Sequence, residues 1–160
     1  MNKKYLALAS RIREELSELQ QAVDRVRAGW DRANQTGDDF YLDSVALNLH
    51  SFYSGLEKIF ELIASNVDQS KVEGENWHQA LLRQMATEIE TVRLPVISRE
   101  SRDRLDDYRG FRHVVRNVYA FHFSPARMAL LVENLPQVFD RVKTEIEAFL
   151  SFIEMQANRE

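Results

Sequence analysis

At 160 residues the chain is the size of one domain, and it is long enough to bury a hydrophobic core without staples. It contains no Cys, which excludes a disulfide framework and a thiolate metal site and fits a reducing cytoplasm. The formal net charge of -4 argues against a general nucleic-acid binder held by bulk positive charge.

The first residues begin basic, as a signal peptide would, but Arg11, Arg13, Glu14 and Glu15 interrupt before any long apolar run. No stretch approaches the roughly 18 to 20 apolar residues that cross a bilayer, so a soluble chain without a membrane partner is expected. Tyr5, Leu8, Ile12, Leu16, Leu19, Val23, Val26 and Trp30 recur in steps of three and four, which predicts a long amphipathic helix. Such a seam also suits a coiled coil, but in a chain this short it more often packs within its own bundle. Gly29 and then N-Q-T-G-D-D supply the turn residues expected to close it.

A second helix should begin near Asp38 or Asp39 and run to about Asn66, with Leu42, Val45, Leu49, Phe52, Leu56, Ile59, Phe60 and Ile63 on its apolar positions. Tyr53 and Glu57 are an i, i+4 pair within it, and His50 stands one turn before Ser54. Polar residues on a core helix more often serve inter-helix hydrogen bonds than a site. After a short polar connection, Asn76 is expected to cap a third helix, Trp77 to about Val92, buried through Leu81, Leu82, Met85 and Ile89. His78 falls in its first turn, where a His can help hold an anion but more often faces water. Ser98 or Ser101 caps the fourth helix, and Ser124 with Pro125 opens the fifth, which Pro136 either kinks or divides. No window alternates over strand length, so the expected fold is an all-α antiparallel bundle of about five helices in a single domain, residues 1–160.

The fourth helix leads into Y-R-G-F-R-H-V-V-R-N-V-Y-A-F-H-F-S-P, residues 108–125, where the chemistry of the chain concentrates. Seven Arg against four acids between Arg99 and Arg127 make a local +3 and leave -7 for the remainder, a pattern suited to one defined anionic ligand or an acidic partner. At about 100° per residue, Arg112, Arg116 and Tyr119 stack along one stripe, with His113 and Asn117 beside it and Phe111, Val114, Val115, Val118 and Phe121 opposite. Guanidiniums one turn apart repel by a few tenths of a kcal/mol, a penalty that a bound phosphate would remove. The bland alternative is a solvated basic face with one structural Tyr. No Gly-rich phosphate loop, nucleophile elbow or paired-His metal motif occurs.

The run F-R-H-V-V-R-N-V-Y-A-F resembles the signature of HepT-like proteins, a branch of the HEPN superfamily of small helical bundles. L-H-S-F-Y-S-G-L-E-K-I-F and G-E-N-W-H-Q-A-L-L-R-Q-M are similar to further segments of that branch. The resemblance implies a ribonuclease that needs neither metal nor other cofactor, acting as the toxin of a toxin-antitoxin pair. Its antitoxin would be a nucleotidyltransferase that adenylylates a motif Tyr, and two copies would dimerise around a shared RNA cleft. The motif reads Arg, four to six residues, His, any residue, Tyr. Carried over, Arg112 takes the Arg position and Tyr119 the modified Tyr position, while the His position falls on Asn117. An amide cannot exchange a proton near neutral pH as imidazole does, which leaves His113 and His122 as replacement carriers. A second register pairs Arg116 with His122 and lacks the terminal Tyr. Asn117 favours a nuclease-dead module that docks a nucleotidyltransferase or a nucleotide, and the long first helix fits a purely structural adaptor.

Overall fold

The recurrence of Leu8, Ile12, Leu16, Leu19, Val23 and Val26 produces one unbroken helix, α1 (Lys3–Thr36), with all of those side chains buried. The computed structural model describes residues 2–159. Asn2 caps α1 by accepting from the Lys4 N–H at 3.1 Å, and its own N–H donates to the Ala157 carbonyl at 2.9 Å. That second bond, with Arg13 reaching Glu147 at 3.3 Å and Glu154 at 2.6 Å, sets α1 antiparallel to the last helix.

Gly29 does not close α1, contrary to the expectation from its residue type. The helix runs on to Thr36 and ends at Gly37, whose left-handed φ of 70° lets its N–H reach the Ala33 carbonyl at 2.9 Å. Gly29 serves close approach instead. A Cβ there would lie 3.1 Å from Val45 Cγ2, and one at Gly55 would lie 2.7 Å from Leu19 Cδ2, so the two glycines let α1 and α2 (Phe40–Ile63) pack closely.

At the start of α2, Asp38 Oδ1 accepts from the Phe40 N–H at 3.0 Å, while Asp39 makes no side-chain cap. This helix is the centre of the bundle, packed on α1, α3 (Trp77–Met85) and α4 (Arg99–Asn117). Its Phe52 meets Tyr108 and Phe139 edge-on, with ring centroids 5.6 and 6.0 Å apart. Beyond Ile63 the coil widens into a π-helical turn, Ala64–Asp68, which delivers Asp68 to the third helix.

The third helix stops at Met85, short of the expected Val92, and the reason is a buried cation. Arg93 and Asp68 have fully buried side chains and pair at 2.6 Å (Nε to Oδ1) and 2.7 Å (Nη2 to Oδ2). The other N–H groups of Arg93 donate to the carbonyls of Thr87, Leu94 and Gln84 at 2.9 to 3.1 Å. A guanidinium out of water needs such company, so the chain wraps around it, with Ile89 and Arg93 exchanging two 2.9 Å backbone bonds, instead of continuing as helix.

Ser98 caps α4 by accepting from the Ser101 N–H at 3.1 Å, and Glu145 accepts from both the Ser98 N–H and the Ser101 hydroxyl. Ser124 caps α5 (Pro125–Arg159) by accepting from the Arg127 N–H at 3.3 Å. Pro136 does not divide that helix; its missing N–H costs about 3 kcal/mol in a helix interior, set against the burial of Leu131, Leu135, Val138 and Phe139 around it. Among the described residues the result is the expected all-α bundle, with five α-helices. Among the described residues no helix is long and apolar enough to cross a membrane.

Candidate anion-binding site

The polar face of α4 is held in place by its apolar one. Leu105, Tyr108 and Phe111 are buried, and the Tyr108 hydroxyl donates to the Leu131 carbonyl of α5 at 2.7 Å. Burial pushes the Tyr108 phenol well above its usual range, so it remains a donor. With that side fixed, Arg109, Arg112, His113, Arg116 and Asn117 line a cleft of about 360 Å³, whose opposite wall is Glu75 and His78.

Arg109 is engaged by Asp106 at 2.7 Å. Arg112 donates through Nε to Ser54 Oγ of α2 at 3.2 Å, which aims its guanidinium without neutralising it. Among the described residues, neither Arg112 nor Arg116 pairs with a carboxylate. Their field reaches α2: burial first, then the charges of Arg112 and Arg116, hold His50 below its ordinary value of 6.5, with Glu57 opposing weakly.

Asn117 is bound back onto its own helix, its Nδ2 donating to the His113 carbonyl at 2.7 Å and lying 3.3 Å from His113 Nδ1. This is the i, i−4 side-chain bond that Asn48 also makes to the Ser44 carbonyl within α2.

Here the expected stripe is corrected. Val118 is extended (φ -130°, ψ 142°), so Tyr119 does not continue the line of Arg112 and Arg116. Val114, Val115 and Val118 are β-branched and lower the helix propensity of this turn. Tyr119 is 74% exposed and stacks on Phe121 with ring centroids 5.5 Å apart. Phe121, expected on the apolar face, is 79% exposed; Phe123 turns inward instead, against Phe111 at 5.9 Å. His122 lies in a 3-10 turn, Ala120–His122, on the exposed surface. The structure therefore gathers Arg112, His113, Arg116 and Asn117 at the cleft and leaves Tyr119 and His122 outside its lining.

Sequence reasoning missed what faces them. Glu57 is only 4% exposed, and its Oε2 lies 2.7 Å from Nδ1 of His78, whose ring stacks on Trp77 at 3.7 Å. A buried Glu on an apolar helix always demands a partner, and that was the available signal. Neither the i, i+4 spacing from Tyr53 nor the position of His78 in a first turn named the pair. Burial holds the Tyr53 phenol far above its usual range, with Glu57 adding to the effect.

The arrangement offers charged donors for an anion, an imidazole beside them, and a boundary of two helices that rigid packing keeps in register. No curated protein and no solved structure gives a significant match. A family match does exist, from residue 44 in α2 to residue 153 in α5, well over half of the chain and including every residue of the cleft. The chain belongs to the family of HepT-like proteins.

Proposed function

We propose that this protein cleaves RNA as the toxin of a toxin-antitoxin pair, holding the scissile phosphate between Arg112 and Arg116. One observation carries the reading: two guanidiniums one helical turn apart, neither neutralised by a carboxylate, line an open cleft beside imidazoles. Planar guanidinium forks match phosphate oxygens, and they stabilise the charge that grows on phosphorus as the new bond forms. The purified chain should cut RNA in the presence of a chelator, and an Arg112→Ala, Arg116→Ala variant should not. RNA left intact by the wild type but cut by Asn117→His would contradict native activity.

In this reading a nucleotidyltransferase antitoxin adenylylates Tyr119. Support comes from the phenol's exposure and its place beyond the helix, where a second active site can reach it without unfolding α4. Intact-mass spectrometry after co-expression with a small nucleotidyltransferase tests this, with a shift expected for wild type and none for Tyr119→Phe. Two copies dimerise with their clefts shared, which sedimentation velocity checks.

The binding-module alternative is favoured by one feature, the engagement of Asn117 with the His113 carbonyl. It predicts the same mass shift at Tyr119 with no RNA cleavage.

A further inference from the structure

The motif position that should carry a proton carrier holds Asn117, yet the cleft contains an imidazole that the motif does not include. His78 comes from α3, on the wall facing Arg112 and Arg116, and its Nδ1 is bound to a carboxylate that is itself almost wholly buried. We infer that His78 is the catalytic proton acceptor of this site and that Glu57 is its positioning residue. The inference rests on the RNA-cleaving reading above.

Three physical points support it. The 2.7 Å contact to Glu57 fixes the tautomer: with the carboxylate accepting from Nδ1–H, Nε2 is the nitrogen left to take a proton from a ligand. Glu57 stands on the central helix among Phe52, Leu56 and Phe60, which are fully buried, so the imidazole's orientation is set by the core and not by a surface loop. The ring is further restrained by the Trp77 indole stacked on it. His113 has no such support. It is exposed, its bond is to the Asn117 amide, and His122 lies beyond the helix.

The step balances without any other reagent. The 2′-hydroxyl of the nucleotide gives its proton to Nε2 of His78, and its oxygen forms the new bond to phosphorus while the non-bridging oxygens rest on Arg112 and Arg116. The bond from phosphorus to the 5′-oxygen breaks, and that oxygen leaves as a hydroxyl with a proton from solvent. His78 returns its proton to solvent. The products are a 2′,3′-cyclic phosphate and a 5′-hydroxyl end.

The test uses the full chain, a cleavable oligoribonucleotide for rates and its 2′-O-methyl counterpart for binding. His78→Ala should lower kcat by roughly 10²- to 10⁴-fold, the usual worth of a general base, with binding of the 2′-O-methyl strand unchanged. Added imidazole should restore part of that rate, which a merely structural histidine would not permit. Glu57→Gln should lower kcat at least about tenfold with KM kept; should that variant fail to fold, His78→Ala decides. Cleavage by His78→Ala at the wild-type rate, or a loss that imidazole cannot rescue, overturns the inference and leaves the nuclease reading standing. A wild-type chain that binds RNA and never cuts it overturns both.

Discussion

The most demanding structural prediction concerns Asp68→Ala. Both side chains of the Asp68–Arg93 pair are wholly out of water, and the carboxylate also accepts from Gln84 Nε2 at 2.9 Å. Removing it leaves Arg93 its three carbonyl partners but no opposing charge. An uncompensated buried charge costs about 3–5 kcal/mol, which at roughly 2–4 °C per kcal/mol for a chain of this size lowers Tm by about 6–20 °C. The double variant Asp68→Leu, Arg93→Met removes both charges and should recover much of that loss, because a buried pair contributes far less net stability than breaking it destroys. The clamp also fixes the chain beyond α3 against the end of α2, so Asp68→Ala should loosen the contact between His78 and Glu57 and lower RNA cleavage at temperatures where the fold persists. Denaturant unfolding of the two variants supplies the measurement. A change below about 1 kcal/mol in Asp68→Ala would place the pair with ordinary surface salt bridges and refute the reasoning.

Three further outcomes follow from the same geometry. Because the folded state disfavours charged His50, its contribution to stability is present above the ordinary histidine range and is lost as pH falls through it; His50→Gln should flatten that part of the stability profile. Inorganic phosphate bound at Arg112 and Arg116 should raise the NMR titration midpoint of His50, since it offsets the two charges that lower it. Gly55→Ala forces Leu19 to move away from a Cβ only 2.7 Å from its Cδ2, and should cost about 1–3 kcal/mol in denaturant unfolding as other overpacked cores do.

Periodicity in the sequence carried most of the fold, because the buried faces of α1, α2, α4 and α5 repeat at the helical spacing and the starts of α2, α4 and α5 are marked by Asp, Ser and Pro. Where it failed, a tertiary demand overrode a local preference. Glu88, Ile89 and Glu90 are adequate helix formers, but the need to surround Arg93 with acceptors turns them into a bend. Gly29 reads as a terminator by itself, whereas its role depends on Val45 from another helix. At the site, the Arg112–Arg116 spacing was legible because it lies within a single helix. The Glu57–His78 contact joins residues 21 apart on different helices, and no spacing rule connects them. Tyr119 was placed by extending a helix that ends at the extended Val118.

The most direct test of the account is fluorescence anisotropy of a labelled 2′-O-methyl oligoribonucleotide, titrated with wild type, Arg112→Ala and Arg116→Ala across a range of salt. Each lost guanidinium should weaken binding roughly 10- to 100-fold, from about 1.5–3 kcal/mol per charged hydrogen bond, and reduce the salt slope by about 0.7. Equal affinity and an equal salt slope in all three proteins would contradict the claim that this helix holds a phosphodiester.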